Sequence, residues 1–251
     1  MDRRCIRLAL SLALLAVMAM SPLPVGATHT GTALLPDLGM APLVNFSVER
    51  RPHGVRWLRF TTVIVNVGAG PFQVYGHTAQ AGGEQLVDQQ IRDGGAWTSD
   101  ATPYRMYFAG DGHYHWHVRD LETYELRNAT APNAAPLRVG AKHGFCFYDN
   151  TRYRLSLDGA PQSPVYTRCG YGPTDATVSF GLSVGWGDTY PASLVDQYIN
   201  ISGLPYGEYL ITATADAQDW FIESNNTNNS TEALIRITRK GVTILDPGVG
   251  A

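Results

Sequence analysis

Cysteine is scarce in this chain: 251 residues hold three, Cys5, Cys146 and Cys169. A scaffold stapled by several disulfides is therefore excluded. Sustained basic runs are missing as well. With 19 basic against 22 acidic residues the formal net charge is −3, which excludes nucleic acid as a natural partner. Helical periodicity is rare, and neither an internal repeat nor a low-complexity linker is present. The longest apolar run, Leu8 to Met20, is short for a membrane span.

That run sits in "MDRRCIRLALSLALLAVMAMSPLPVGATHT", where arginines precede it and a helix-breaking "SPLP" and small residues "VGA" follow. This is the layout of a secretory signal peptide, residues 1–27, cleaved after Ala27. The expectation is a secreted, extracellular protein without a stable membrane anchor. Cleavage would remove three arginines and one aspartate, moving the net charge from −3 to about −5. Cys146 and Cys169 would remain, and two cysteines in an exported chain most simply form one disulfide. Asn-x-Ser/Thr sequons at Asn45, Asn128, Asn200, Asn225, Asn228 and Asn229 matter only in a glycosylating pathway.

Strand-like runs with turn punctuation fill the rest. "RWLRFTTVIVNV" is β-branched and aromatic; "GAGP" turns, and "FQVYG" resumes. "MYFA", "HYHWHVRDLETYEL", "GFCFYD", "QYINIS", "EYLITATAD" and "ALIRITR" read the same way. Residues 76–104 and 149–189 read as long polar, Gly-rich connections, and such connections are often functional. The pattern predicts an all-β fold, an antiparallel sandwich with long loops. Residues 28–251 form one domain in this reading, with a core over about 34–240 and a loose tail.

The chain has seven histidines, and "GDGHYHWHVRD" places three of them, His113, His115 and His117, at alternate positions. On a strand such residues share one face, leaving Tyr114 and Trp116 to pack on the other. The outer two Cα atoms of a straight strand would lie about 13 Å apart. A bend or bulge is needed for three imidazoles to meet on one ion, and Gly110 and Gly112 make one easier. Three nitrogen ligands with an open position suit copper or zinc. A strand with three surface histidines, or a purely structural metal site, is the plainer alternative.

These residues also resemble a known family. "GHYHWHVRDLETYEL" resembles the copper-binding segment of the lysyl oxidases, and "AKHGFCFYDN" resembles the segment carrying that family's cofactor lysine. "GWGDTYPASLVDQYINISGLPYGEY" resembles the segment carrying its cofactor tyrosine. "LPDL" at 35–38 and "FIESNNTNN" at 221–229 resemble its two calcium-contributing segments. The similarity runs in the family's order over about 34–238.

The resemblance implies an enzyme: a copper-dependent amine oxidase acting with O2 on peptidyl-lysine or another primary amine. The products would be an aldehyde, ammonia and hydrogen peroxide. Copper would sit on His113, His115 and His117. Lys142 and Tyr190 would be joined in a lysine tyrosylquinone, which requires Lys142 to attack as a neutral amine. Asp188, two residues before Tyr190, is the candidate general base; it would equally hold a turn or bond Thr189. Asp37, the Leu38 carbonyl, Glu223, Asn225, Asn228 and Asn229 offer an oxygen shell for calcium. A polar hairpin with Asx turns explains those last residues too. Read alone, Lys142 is a surface lysine and Tyr190 one tyrosine among 13. A second reading of the whole chain is a non-catalytic, extracellular immunoglobulin-like adhesion or metal-binding module. That reading accounts for both ends of the chain but not for the histidines.

Overall fold

The computed structural model describes residues 29, 31–78, 83–110 and 113–251. The expected signal peptide lies outside the described residues, as does Gly112. Among the described residues no helix is long and apolar enough to cross a membrane.

Strands account for nearly all the regular structure. In chain order they are β1 (Ala33–Leu34), β2 (Leu38–Met40), β3 (Val44–Arg50), β4 (Arg56–Asn66), β5 (Phe72–Thr78) and β6 (Gln85–Asp93). Next come β7 (Ala96–Ala109), β8 (His115–Arg119), β9 (Glu122–Asn128), β10 (Arg138–Val139), β11 (Gly144–Phe145) and β12 (Thr151–Arg152). The last are β13 (Thr177–Leu182), β14 (Trp186–Tyr190), β15 (Tyr198–Asn200), β16 (Gly207–Ala215), β17 (Ser230–Ile237) and β18 (Val242–Asp246).

They form three sheets. The first runs β11-β8-β7-β6-β5-β13, with β1 on β6; the second runs β10-β9-β16-β17-β18. The third runs β12-β14-β4-β15, with β2 and β3 also on β4. Every pairing is antiparallel. The fold is an all-β antiparallel sandwich. Aromatic rings join the layers. Phe60 of β4 meets Tyr124 of β9 edge-on at 5.2 Å. Phe72 of β5 packs on Phe147 at 5.0 Å and Phe221 at 4.8 Å. Each ring so buried contributes about 1.5–3 kcal/mol.

Two expected connections are partly strands. Residues 85–109 form the β6–β7 hairpin, closed by Gly94 and Gly95 at φ 57° and 87°. A two-residue turn needs that backbone, and glycine adopts it without steric cost. The inward positions of β6 include Gln85 and Gln89, both buried. The Gln89 amide binds the backbone of Ile222 through both its donor and its acceptor. Buried amides in place of apolar residues hide the alternation that marks a strand. The stretch 149–189 likewise contains β12, β13 and β14. Pairing continues past residue 240 through β18, and the tail is held. Ala251 N–H donates to the Met40 carbonyl at 3.1 Å, and Val249 accepts from Thr231 Oγ1 at 2.7 Å.

Candidate active site and metal centre

β8 lies beside β7 with His117 opposite Tyr107 and His115 opposite Ala109. The strand starts at His115, so His113 precedes it in a turn. Between them Tyr114 takes φ 53° and is 70% exposed. This corrects the expectation that Tyr114 packs into the core. The left-handed residue breaks the straight alternation, and His113 folds back over the face that carries His115 and His117. Trp116 is buried as expected; its indole N–H donates to the Gly172 carbonyl at 2.9 Å and its backbone N–H to Cys169 at 2.9 Å.

The three imidazoles converge, each with a ligand nitrogen within 4.8 Å of the others. The Nε2 atoms of His115 and His117 are 2.8 Å apart. A metal bonded at about 2.0–2.1 Å needs its nitrogens roughly 3–4 Å apart, so small side-chain shifts suffice. Burial, assisted by His115, Lys142 and His113, pushes the His117 imidazole down to about 3. It is therefore neutral at physiological pH and keeps one unprotonated ring nitrogen, the form that ligates a metal.

The same cavity, about 330 Å³, is lined by all three histidines, Lys142, Asp188 and Tyr190. β14 pairs with β4, Tyr190 opposite Thr62, which fixes the tyrosine at the sheet end. Its hydroxyl donates to the Cys146 carbonyl at 2.8 Å. Cys146 is bonded to Cys169 across Cα atoms 5.8 Å apart, tethering the chain that leads towards β13 and β14. Lys142 is buried, and its Nζ lies 5.2 Å from the centre of the Tyr190 ring and 5.1 Å from that of Phe145. The long intervening segment thus returns Tyr190 to Lys142. Burial, with Asp188 and Glu122 adding to it, holds the Tyr190 phenol well above its ordinary range.

Asp188 is 1% exposed. Burial pushes its carboxyl well above the usual range, against the pull of Tyr190, Asn150 and Lys142. It accepts from the Asn150 side-chain amide, whereas Thr189 bonds Thr151 Oγ1 through its hydroxyl at 2.5 Å and donates its backbone N–H to Asn150 Oδ1 at 2.9 Å. Lys142 also lines a second cavity, about 510 Å³, with Glu122 and Tyr124. That cavity is larger but contains none of the three histidines.

Glu122 is wholly buried, and Glu122 Oε2 accepts from Tyr124 Oη at 2.8 Å and Thr62 Oγ1 at 3.2 Å. Burial raises it from the ordinary 4.5 to about 7. A carboxyl raised on folding adds stability that is full below about pH 4.5 and fades as pH rises through 7. At about 1.36 kcal/mol per unit, that shift is on the order of 3 kcal/mol. Glu122→Gln should gain that much on the native protein between pH 4.5 and 8, read from urea midpoints across that range. A difference that does not change with pH would show that Glu122 does not titrate on unfolding.

Where β2 meets the end of β4, Asp37, Leu38, Glu223, Asn228 and Asn229 come together. Asn228 donates to Asp37 Oδ1 at 2.8 Å and Asn229 to Glu223 Oε1 at 3.0 Å, while Leu38 N–H donates to the other Glu223 oxygen. The side-chain carbonyl oxygens of Asn228 and Asn229 are buried without a partner. Asn225 stands apart: its oxygen accepts from Thr227 in an Asx turn, which is the plainer reading made for this loop. Burial pushes Glu223 up to about 8.

Two groups beside Lys142 escaped the sequence reading. One is Glu122; the other is Asp196, whose Oδ2 accepts from Lys142 Nζ at 3.2 Å. A signal existed, because the whole chain has only two lysines, Lys142 and Lys240. Finding one of them buried marks it for chemistry or for pairing.

No curated protein matches the chain. A family model described as lysyl oxidase matches residues 88–246, a stretch that contains the three histidines, Lys142 and Tyr190.

Proposed function

The chain belongs to the lysyl oxidase family, and from that premise we propose that it is an exported copper amine oxidase. Its substrate would be peptidyl-lysine or another primary amine, converted with O2 and water to an aldehyde, ammonia and hydrogen peroxide. The observation that carries this reading is one cavity holding three convergent imidazoles and a buried lysine 5.2 Å from a buried tyrosine ring. The Cys146–Cys169 disulfide and the signal-like first 27 residues support export.

His113, His115 and His117 would hold copper, and a set of three imidazole nitrogens fits it. Copper bound there would supply the one-electron chemistry that couples O2 to oxidation of the Tyr190 phenol. The protein's own residues do the rest. The Cys146 carbonyl fixes the phenol oxygen, and Phe145, edge-on to Tyr190 at 5.3 Å, limits tilting of the ring. Lys142 is placed to join that ring as a lysine tyrosylquinone. Asp188, dry and strongly basic for a carboxylate, would accept the α-proton of the bound amine.

The test is a peptide map of protein expressed with copper. A covalent Lys142–Tyr190 peptide with the mass change of quinone formation is the expected result. Separate unmodified peptides at full copper occupancy would leave a metal-binding module instead.

Calcium fits the second cluster. Two unpartnered amide oxygens, Glu223 and Asp37 form an all-oxygen set linking the N-terminal segment to a late loop. Calcium at a hundredfold excess over Kd should stabilise the fold by about 2.7 kcal/mol, or roughly 5–10 °C in Tm. Glu223→Gln should lose most of that shift. A Tm that calcium and chelator leave unchanged would rule the site out.

A further inference from the structure

Lys142 faces a chemical conflict. An ammonium has no electron pair with which to attack a ring, yet this lysine sits against a carboxylate. Its side chain is 2% exposed and ion-paired to Asp196. The backbone fixes that pair. Gly140 bridges Ile199, and Ala141 N–H donates to the Tyr198 carbonyl at 2.9 Å, which sets Lys142 opposite the Asp196–Gln197 segment. That segment follows Tyr190 through two tight turns, Pro191 to Leu194 and Leu194 to Gln197. Arg59 braces it, donating to the Leu194 carbonyl at 2.6 Å. One short piece of chain therefore carries both the ring and the carboxylate that holds the amine over it.

The charged and titratable groups around the Lys142 amine are Asp196, Glu122, Asp188, Tyr190 and His117. Of these acids, Asp196 is the one within hydrogen-bond distance of Nζ. Glu122 and Asp188 are each 1% exposed and already accept from neighbours. The Asp196 side chain is 31% exposed, so it has a route to water, and its Oδ1 has no partner.

We infer that Asp196 is the positioning residue for Lys142 and the acceptor of its proton when the lysine joins Tyr190. This rests on the reading that the two residues become cross-linked. One N–H bond breaks and its proton passes to Asp196 Oδ2. The freed pair forms a C–N bond to a carbon of the Tyr190 ring, already oxidised to the ortho-quinone. One hydrogen from the nitrogen and one from that carbon end on the two ring oxygens. Dioxygen then removes two electrons and both protons as hydrogen peroxide, restoring the quinone. The proton on Asp196 leaves to solvent.

The experiment starts from protein expressed without copper. Copper(II) is added in air between pH 5.5 and 9, and the cross-linked Lys142–Tyr190 peptide is followed by mass spectrometry. Asp196→Asn keeps the shape and a hydrogen-bond acceptor but loses the charge. It should bind copper as the wild type does and cross-link on the order of a hundredfold more slowly at pH 7. Its rate should climb with pH as solvent takes over the deprotonation. Asp196→Ala with added acetate gives a second reading, in which a small carboxylate should restore the rate. A wild-type rate in Asp196→Asn would overturn the inference. So would a slow rate equally depressed at every pH, or no rescue by acetate. Wild-type protein that binds copper and never cross-links would overturn the quinone reading, and this inference with it.

Discussion

Tyr190→Phe should abolish amine oxidation, by more than about a thousandfold, while leaving the metal content of the protein unchanged. The substitution takes one oxygen from a ring whose hydroxyl is bonded to the Cys146 carbonyl. What it removes is the phenol that a quinone must come from, since phenylalanine has no oxygen to activate. Lys142 then has no electrophile within reach. The structural cost is small. The lost hydrogen bond to the Cys146 carbonyl is worth about 1 kcal/mol, and the ring still packs on Phe145. Peroxide release with a primary amine, copper by elemental analysis and the melting curve together give the result. Activity surviving in the variant would sink the mechanism. Loss of activity together with copper would instead place Tyr190 in the metal site.

The histidine spacing was legible because period-two placement of a rare residue has few bland explanations. The bend that gathers the three rings was not. It depends on Tyr114 at positive φ, a conformation bulky residues rarely take, and a tyrosine does not announce it. The β6 strand was hidden by Gln85 and Gln89, polar residues at inward positions whose amide nitrogens donate to the distant carbonyls of Asp175 and Ile222. The sheet change between β8 and β9 was hidden as well. It occurs at Asp120, with φ 51° and a 2.6 Å contact to His143, inside a run that reads as one strand. Asp196 and Glu122 were invisible for a different reason. Each is an ordinary acid in sequence, and only the pairing of residues 140–141 with 198–199 brings Asp196 to the lysine.

That pairing segment leads into Gly144, where a single methyl group should have the second large effect. Gly144 opens β11 opposite Arg119, so its missing side chain faces the gap between Tyr107 and His117. A Cβ there would stand 2.5 Å from His117 Nδ1 and closer still to the Tyr107 hydroxyl. Carbon contacts relax near 3.5 Å, so the neighbours must give by roughly 1 Å. Tyr107 is half-buried and can turn outward. His117 is 3% exposed, and its Nε2 already faces His115. Pushing Nδ1 away rotates the ring about its own packing and misaims that Nε2. Gly144→Ala should therefore weaken copper binding by about 10–100-fold and destabilise the fold by about 1–3 kcal/mol. Both effects arise although no ligand is altered. Gly207→Ala, with nothing within 4 Å of the new carbon, is the matched control and should leave both quantities alone. Copper titration of the two variants separates the effects. If Gly144→Ala bound copper like the wild type, His117 would have to be a spectator, and the ion would rest on His113 and His115 with a ligand from elsewhere in the cavity.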